Sequence, residues 1–231
     1  MRRFACPAVP DPGSRVRLDA EVSRHMLQVT RVPRGAEVVL FDGRGRSAVA
    51  RLVGVHGDCA ELEVLSLEQT QAPPAELWAC LGVTKGSRFE TAIRMAVELG
   101  ATRVVPVLAQ RSIARGDRRA RWQRVIDGAV AQSGRTFVPE LAPMASLEAV
   151  LAQPSDAFLR WFCVPGAAPG PGSIGPAAVL VGPEGGWTER EVTRAVEAGW
   201  CAAGLGPTVL RAETAVASVL TRVRCAGPAS G

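Results

Sequence analysis

Histidine and lysine are scarce in this chain: His25 and His56 are the two histidines, and Lys85 is the one lysine. A serine–histidine triad or a histidine-rich metal site therefore has little material to draw on. The six cysteines (Cys6, Cys59, Cys80, Cys163, Cys201 and Cys225) are scattered and never fall in C-x-x-C spacing. Neither a zinc site nor a redox motif is signalled, and reduced thiols acting as small hydrophobes are expected. No run approaches the roughly 20 apolar residues of a membrane span. The opening MRRFACPAVPDPGS lacks the continuous apolar stretch of a signal peptide. The expectation is a cytoplasmic protein with no metal and no membrane partner.

What is present is ordinary globular material. Of 231 residues, 47% are hydrophobic and 21% charged, with a net charge of +5. That excess permits a nucleic-acid partner without demanding one, because phosphate contacts need basic side chains. Arginine supplies nearly all of it. Coding bias accounts for most of this preference, and the planar guanidinium also suits phosphate.

Residues 15–67 alternate apolar and polar positions in short runs (VRL, AEVVLFDG, SAVARLVGV, CAELEVLSL) separated by glycine-rich breaks. This is the pattern of a small β-barrel. Phe41-Asp42-Gly43-Arg44-Gly45 reads as a hairpin turn, and one short helix is expected between Asp19 and Val29. Gln69 to Pro74 is polar and then proline-rich, as a linker is. Beyond it the period changes. LWACLGV, RVVPVL, AFLRWFCV, AAVLVG and WCAAGLG have strand length. Helical spacing joins Phe89, Ala92, Ile93, Ala96 and Val97 on one face, with Gly100 placed to end that helix. Trp122, Val125, Ile126, Ala129 and Val130 mark a second helix, ending near Gly134. Thr188-x-x-Glu191 is a capping box that opens a third. Ala212, Ala215, Val216, Val219, Leu220 and Val223 mark the last. A Gly/Pro loop runs over residues 165–176. Strands alternating with helices indicate a mostly parallel α/β domain over 75–231, preceded by the β-rich domain over 1–70.

Two loops stand out. Val181-Gly182-Pro183-Glu184-Gly185-Gly186-Trp187 follows a strand and precedes a capped helix. A glycine-rich turn there lets a ligand approach the backbone, at the strand ends where open α/β sheets bind ligands. It matches neither the Walker loop nor the dinucleotide fingerprint, and a ligand-free tight turn is the plain alternative. Leu205-Gly206-Pro207-Thr208-Val209-Leu210-Arg211 repeats the design, with Arg211, Glu213 and Thr214 where the next helix begins. Glu213 and Thr214 read equally as helix-capping residues. Two such loops so close in sequence point to a shared pocket.

GPEGGWTEREV followed by LGPTVLRAETA resembles the ribosomal RNA small subunit methyltransferase E (RsmE) family, of the SPOUT superfamily. LGVTKGSRFETAIRMAVELGATRVVPVLAQRS, AVAQSGRTFVPE and HMLQVTRVPRGAEVVLFDGRG are similar to further family segments, in order along nearly the whole chain. The sequence departs from the family pattern at Val29-Thr30-Arg31, at Val164-Pro165, and at Thr208, where the family carries a basic residue.

The resemblance implies a PUA-like N-terminal β-barrel that binds RNA, joined to a SPOUT-type trefoil-knotted parallel sheet with helices on both faces. It implies S-adenosylmethionine as cofactor, with no metal, bound by Leu180, Val181, Gly182, Pro183, Glu184, Gly185, Gly186, Leu205, Gly206, Val209, Leu210, Arg211, Thr214 and Ala215. It implies methylation of N3 of a uridine in 16S ribosomal RNA of the small subunit, by a homodimer. Arg135 and Arg211 are the candidates for stabilising the anion that develops on uracil, and Glu184 and Glu213 are candidate bases or loop braces. His25, Arg31, Arg34, Lys85, Arg88 and Arg111 are candidate RNA contacts. A SPOUT enzyme of other nucleotide specificity, or an RNA-binding assembly factor without catalysis, stays open at this point.

Overall fold

The computed structural model describes residues 1–112, 118–170 and 175–225, with Cys225 in backbone only. Part of the 165–176 loop and the Cys225 side chain therefore lie outside the described residues. The chain divides into two compact units, one of Met1–Ala72 with Asp127–Val138, the other of Pro73–Ile126 with Pro139–Gly231.

In the first unit, β1 (Arg3–Ala5), β2 (Arg15–Arg17), β3 (Glu37–Phe41), β4 (Arg46–His56) and β5 (Cys59–Gln69) form one sheet in the order β1-β3-β4-β5-β2. Only the β1–β3 pair is parallel. The apolar positions of the alternating runs point to one core, of Phe4, Val38, Leu40, Leu52, Leu62 and Met26. The expected hairpin joins β3 and β4: Asp42 Oδ1 accepts from the backbone N–H groups of Arg44 and Arg46 at 2.7 and 3.0 Å. The sheet is an open path. β1 and β2 end it, and each is three residues long, so strand pairing does not close the barrel expected from the sequence.

The helix expected between Asp19 and Val29 is present in two parts. Asp19 caps α1 (Ala20–Arg24) by accepting from Val22 N. The chain then widens into a π-helix, His25–Val29. Residues 127–138 also pack in this unit: Gly45 N donates to Thr136 O at 3.0 Å, and Arg44 bridges to Phe137.

Among the described residues the second unit holds a seven-stranded sheet in which every pairing is parallel. Its strands are β6 (Leu77–Gly82), β7 (Arg103–Leu108), β8 (Glu140–Leu141), β9 (Ala145–Ser146), β10 (Leu159–Cys163), β11 (Ala177–Val181) and β12 (Cys201–Ala203). The order is β12-β10-β11-β6-β7-β8, with β9 also on β7. β6 and β11 are buried at every residue, as central parallel strands must be when both faces are covered. Side chains alternate between the faces. Trp78, Cys80, Phe162, Ala178 and Leu180 pack with α4 (Leu147–Leu151) and with Ala195 of α5 (Glu189–Glu197). On the other side, α6 (Ala212–Cys225) packs on β11 and on α2 (Ser87–Glu98).

The five α2 residues picked out by spacing are all buried, and Phe89 meets Trp122 of α3 (Arg119–Ser133) at 4.8 Å between ring centroids. The Thr188–Glu191 capping box opens α5. Among the described residues no helix is long and apolar enough to cross a membrane, and no group of three or more His, Cys, Asp or Glu could hold a metal ion.

Candidate active site

The register of the central strands builds the site. β11 lies between β10 and β6, with Phe162 opposite Leu180 and Leu81 opposite Val181. The chain segments leaving the carboxyl ends of β10 and β11 therefore emerge side by side. The Gly182–Trp187 loop then crosses over the end of β6. A Cβ at Gly82 would lie 2.5 Å from Pro183 N, so only glycine lets the loop settle there. From the other side comes the loop after β12, where Gly206 takes φ 137°, a conformation that side-chain-bearing residues rarely adopt.

Between these segments lies a cavity of about 310 Å³. Gly182, Pro183, Glu184 and Gly186 come from the first loop. Leu205, Gly206, Thr208, Val209, Leu210 and Arg211 come from the second. Val181, Ala212, Glu213 and Ala215 border it from β11 and α6. A third wall, Cys163-Val164-Pro165, continues β10, and Trp187 and Arg88 complete the lining.

Trp187 holds that third wall. Its ring stacks on Phe162 at 4.8 Å, and its Nε1 donates to the Cys163 carbonyl at 3.2 Å. Burial pushes the Cys163 thiol up to about 12, so it lines the pocket as a neutral, apolar group. The loop that follows β7 braces the first loop. Arg111 Nη1 donates to the carbonyls of Gly185 at 2.8 Å and Trp187 at 3.4 Å. Buried Glu191 accepts from Gln110 N at 2.8 Å through one oxygen and from Thr188 N at 2.8 Å through the other.

The charged part of the lining is compact. Arg88 Nη1 donates to Glu184 Oε1 in an ion pair. That hydrogen bond and the charge of the same carboxylate raise the Arg88 pKa, and Glu213 acts more weakly in the same direction against the opposing effect of burial. Glu213 Oε2 is itself buried with no hydrogen-bond partner among the described residues. Everything else in the lining except Arg211 and Thr208 is apolar or glycine backbone. Such a pocket accepts a largely apolar, flat group against backbone N–H and C=O groups, together with a charged extension.

The residues singled out in the sequence separate by unit. Val181, Gly182, Pro183, Glu184, Gly186, Leu205, Gly206, Val209, Leu210, Arg211, Glu213 and Ala215 come together in the pocket. Leu180 packs into the sheet core, Gly185 lies over Arg111, and Thr214 is exposed on α6. Arg88, expected among the RNA contacts, lines the pocket, while Lys85 is exposed ahead of α2. Arg135, His25, Arg31 and Arg34 belong to the first unit. The Arg135 carbonyl accepts from Arg3 Nη2 at 3.0 Å, His25 packs edge-on against Phe4, and Arg31 has φ 52°. Cys163, Val164, Pro165, Trp187, Thr208 and Ala212 were not singled out as ligand contacts. Their shared signal is position at the end of an apolar run or beside a glycine loop, which becomes informative only once the strand order is known.

A parallel α/β sheet whose strand ends feed two glycine loops into one pocket is the build of an enzyme that binds a nucleotide-like ligand. The family model described as RNA methyltransferase domain matches residues 70–224. The chain is 34% identical over 213 residues to a ribosomal RNA small subunit methyltransferase E of Synechocystis, covering 86% of this chain and 69% of that one. It is 32% identical over 242 residues to the enzyme of that name in Mycobacterium bovis, covering 95% and 90%. The crystal structure of the Neisseria gonorrhoeae protein of the same name, bound to S-adenosylmethionine, superposes with a TM-score of 0.87 at 33% identity over 96% of this chain and 95% of that one. The chain belongs to the ribosomal RNA small subunit methyltransferase E family.

Proposed function

We propose that this protein transfers a methyl group from S-adenosylmethionine to N3 of a uridine in 16S ribosomal RNA of the small subunit. The observation that carries this reading is the pocket itself, formed by the two glycine loops and the end of β10 in a chain of this family. Its residues fit the donor. The glycine backbone and the apolar walls of Val164, Leu205, Val209 and Leu210 suit a purine, and the charged group of Arg88, Glu184 and Glu213 suits an amino-acid tail. When bound, S-adenosylmethionine supplies an electrophilic methyl group on a sulfonium centre.

The protein's part is binding, placement and charge. N3 of uracil carries a proton and is buried by base pairing, so the base must be presented unpaired. Arg135 is the first candidate, and Arg211 the second, for the negative charge that develops on the uracil oxygens as that proton leaves, where a fixed guanidinium acts most strongly. Glu184 is engaged by Arg88, which suits it to bracing the loop. His25, Arg31, Arg34, Lys85 and Arg111 are assigned to RNA, with the first unit as a PUA-like RNA-binding module. The segment from Gly182 through α6 is assigned a trefoil knot, consistent with α6 returning onto β11 and α2. The working form is taken to be a cytoplasmic homodimer.

The test uses 30S subunits from a strain lacking the modification, incubated with the protein and methyl-labelled S-adenosylmethionine. Digested RNA should contain labelled 3-methyluridine by mass spectrometry. No transfer to 30S subunits by protein that demonstrably binds the donor overturns the reading.

A further inference from the structure

The charged group in the pocket has an internal imbalance. Arg88 spends one guanidinium nitrogen on Glu184, and a guanidinium has five N–H donors. Glu213, in the first turn of α6, keeps Oε2 buried and, among the described residues, without a hydrogen-bond partner. A buried carboxylate oxygen with no donor carries a desolvation cost that a bound donor would remove. Both residues line the same cavity.

The sign pattern excludes a simple anion. A phosphate brought to Arg88 would face the carboxylates of Glu184 and Glu213, and like charges at that range repel. A simple cation placed against Glu213 would meet Arg88. A ligand bearing one charge of each sign about two bonds apart satisfies both groups at once.

We infer that Arg88 and Glu213 form a subsite for an α-amino-acid zwitterion, with the carboxylate on the free N–H groups of Arg88 and the ammonium on Glu213 Oε2. Glu184 is then the positioning residue, fixing the Arg88 side chain so that its remaining donors face the cavity. The assignment rests on the reading of the pocket as the methyl-donor site. It makes the donor's amino-acid end the element that separates this ligand from other adenosine compounds, and it moves Arg88 away from RNA phosphate.

Isothermal titration calorimetry on the full chain tests this with three ligands. S-adenosylhomocysteine carries both charged groups. 5′-Methylthioadenosine lacks the amino-acid end, and 5′-(3-aminopropylthio)adenosine keeps the amine alone. The unsubstituted protein should bind S-adenosylhomocysteine at least about 10-fold more tightly than methylthioadenosine, the scale of one charge-assisted hydrogen bond. R88M and E213Q should each weaken S-adenosylhomocysteine by about 10-fold or more while leaving methylthioadenosine unchanged. E213Q, but not R88M, should also weaken the aminopropyl compound.

Unchanged methylthioadenosine binding shows that each variant is folded with its pocket intact. Equal affinity of the unsubstituted protein for S-adenosylhomocysteine and methylthioadenosine overturns the subsite. So does equal weakening of both ligands by the variants, which marks a purely structural role. If none of the three adenosine ligands binds, the methyl-donor reading falls, and the subsite with it.

Discussion

Gly82 offers the sharpest perturbation, because the Gly182–Trp187 loop, which lines the pocket, lies directly against its backbone. A methyl group added there would lie 2.5 Å from Pro183 N, 2.6 Å from Pro183 Cδ and 2.8 Å from the Gly182 carbonyl carbon. Ordinary carbon contacts start near 3.5 Å, so G82A must push the Gly182–Trp187 loop away by roughly 1 Å. β6 is buried throughout and hydrogen-bonded on both sides, so the loop yields rather than the strand. Overpacking of this kind costs about 1–3 kcal/mol, which for a chain of this size lowers the melting temperature by about 2–12 °C. A displacement of that size beside the reacting atoms costs up to about 100-fold in rate. Circular dichroism melts, calorimetric titration of S-adenosylhomocysteine and methyl transfer to 30S subunits measure the three effects. G128A is the control: it replaces a glycine within α3 that has open space around its Cβ position, and it should stabilise by about 0.5–1 kcal/mol. A G82A protein with unchanged melting and unchanged ligand affinity would refute the close crossing of the loop over β6.

E191A should cost about 2 kcal/mol or more in thermal unfolding, because Gln110 N and Thr188 N both lose their acceptor; E191Q, which keeps an acceptor, should cost less. R111A should weaken S-adenosylhomocysteine about 3- to 10-fold in the absence of RNA, since Arg111 ties down the Gly185 and Trp187 carbonyls; an arginine serving RNA alone would leave that affinity untouched. Iodoacetamide at mildly alkaline pH should modify exposed Cys201 in the native protein and spare Cys163, as read by peptide mass spectrometry. Burial raises the Cys80 and Cys163 thiols from 9.0 to about 12. The folded state therefore holds their protons longer than the unfolded chain does, and stability falls as pH rises from 9.0 towards 12. Denaturant midpoints across that range give the sign.

Much of the second unit is legible in the sequence because its signals are local. The spacing of Phe89, Ala92, Ile93, Ala96 and Val97 can bury one face only as a helix, and α2 buries those five. RVVPVL coincides with β7 residue for residue. Thr188 and Glu191 cap α5 because their chemistry acts over three residues. What is not legible depends on partners distant in sequence. β8 and β9 have two residues each, too few to show a period. The π-helix at His25–Val29 has the composition of an ordinary helix. Alternation in residues 15–67 marks strands without saying whether β1 and β2 meet, and they do not. Residues 136–138 join the first unit through backbone bonds to Gly43 and Gly45, which no side-chain pattern announces. The Cys163–Pro165 wall stayed hidden for the same reason: its place follows from β10 lying beside β11, and strand order is a property of the whole sheet.

The position of β11 also bears on how the protein comes into being. It is made late yet lies between β10 and β6, and α6, made later still, closes against α2, one of the unit's earliest helices. Contacts that span so much chain must overcome loop-closure entropy before they return anything. During synthesis the cavity does not exist in partial form, because its second loop and its α6 border follow every strand. The methyl donor therefore cannot act as an early folding template. It can only trap the finished unit, so its stabilising effect should appear in the rate of unfolding and not in the rate of folding.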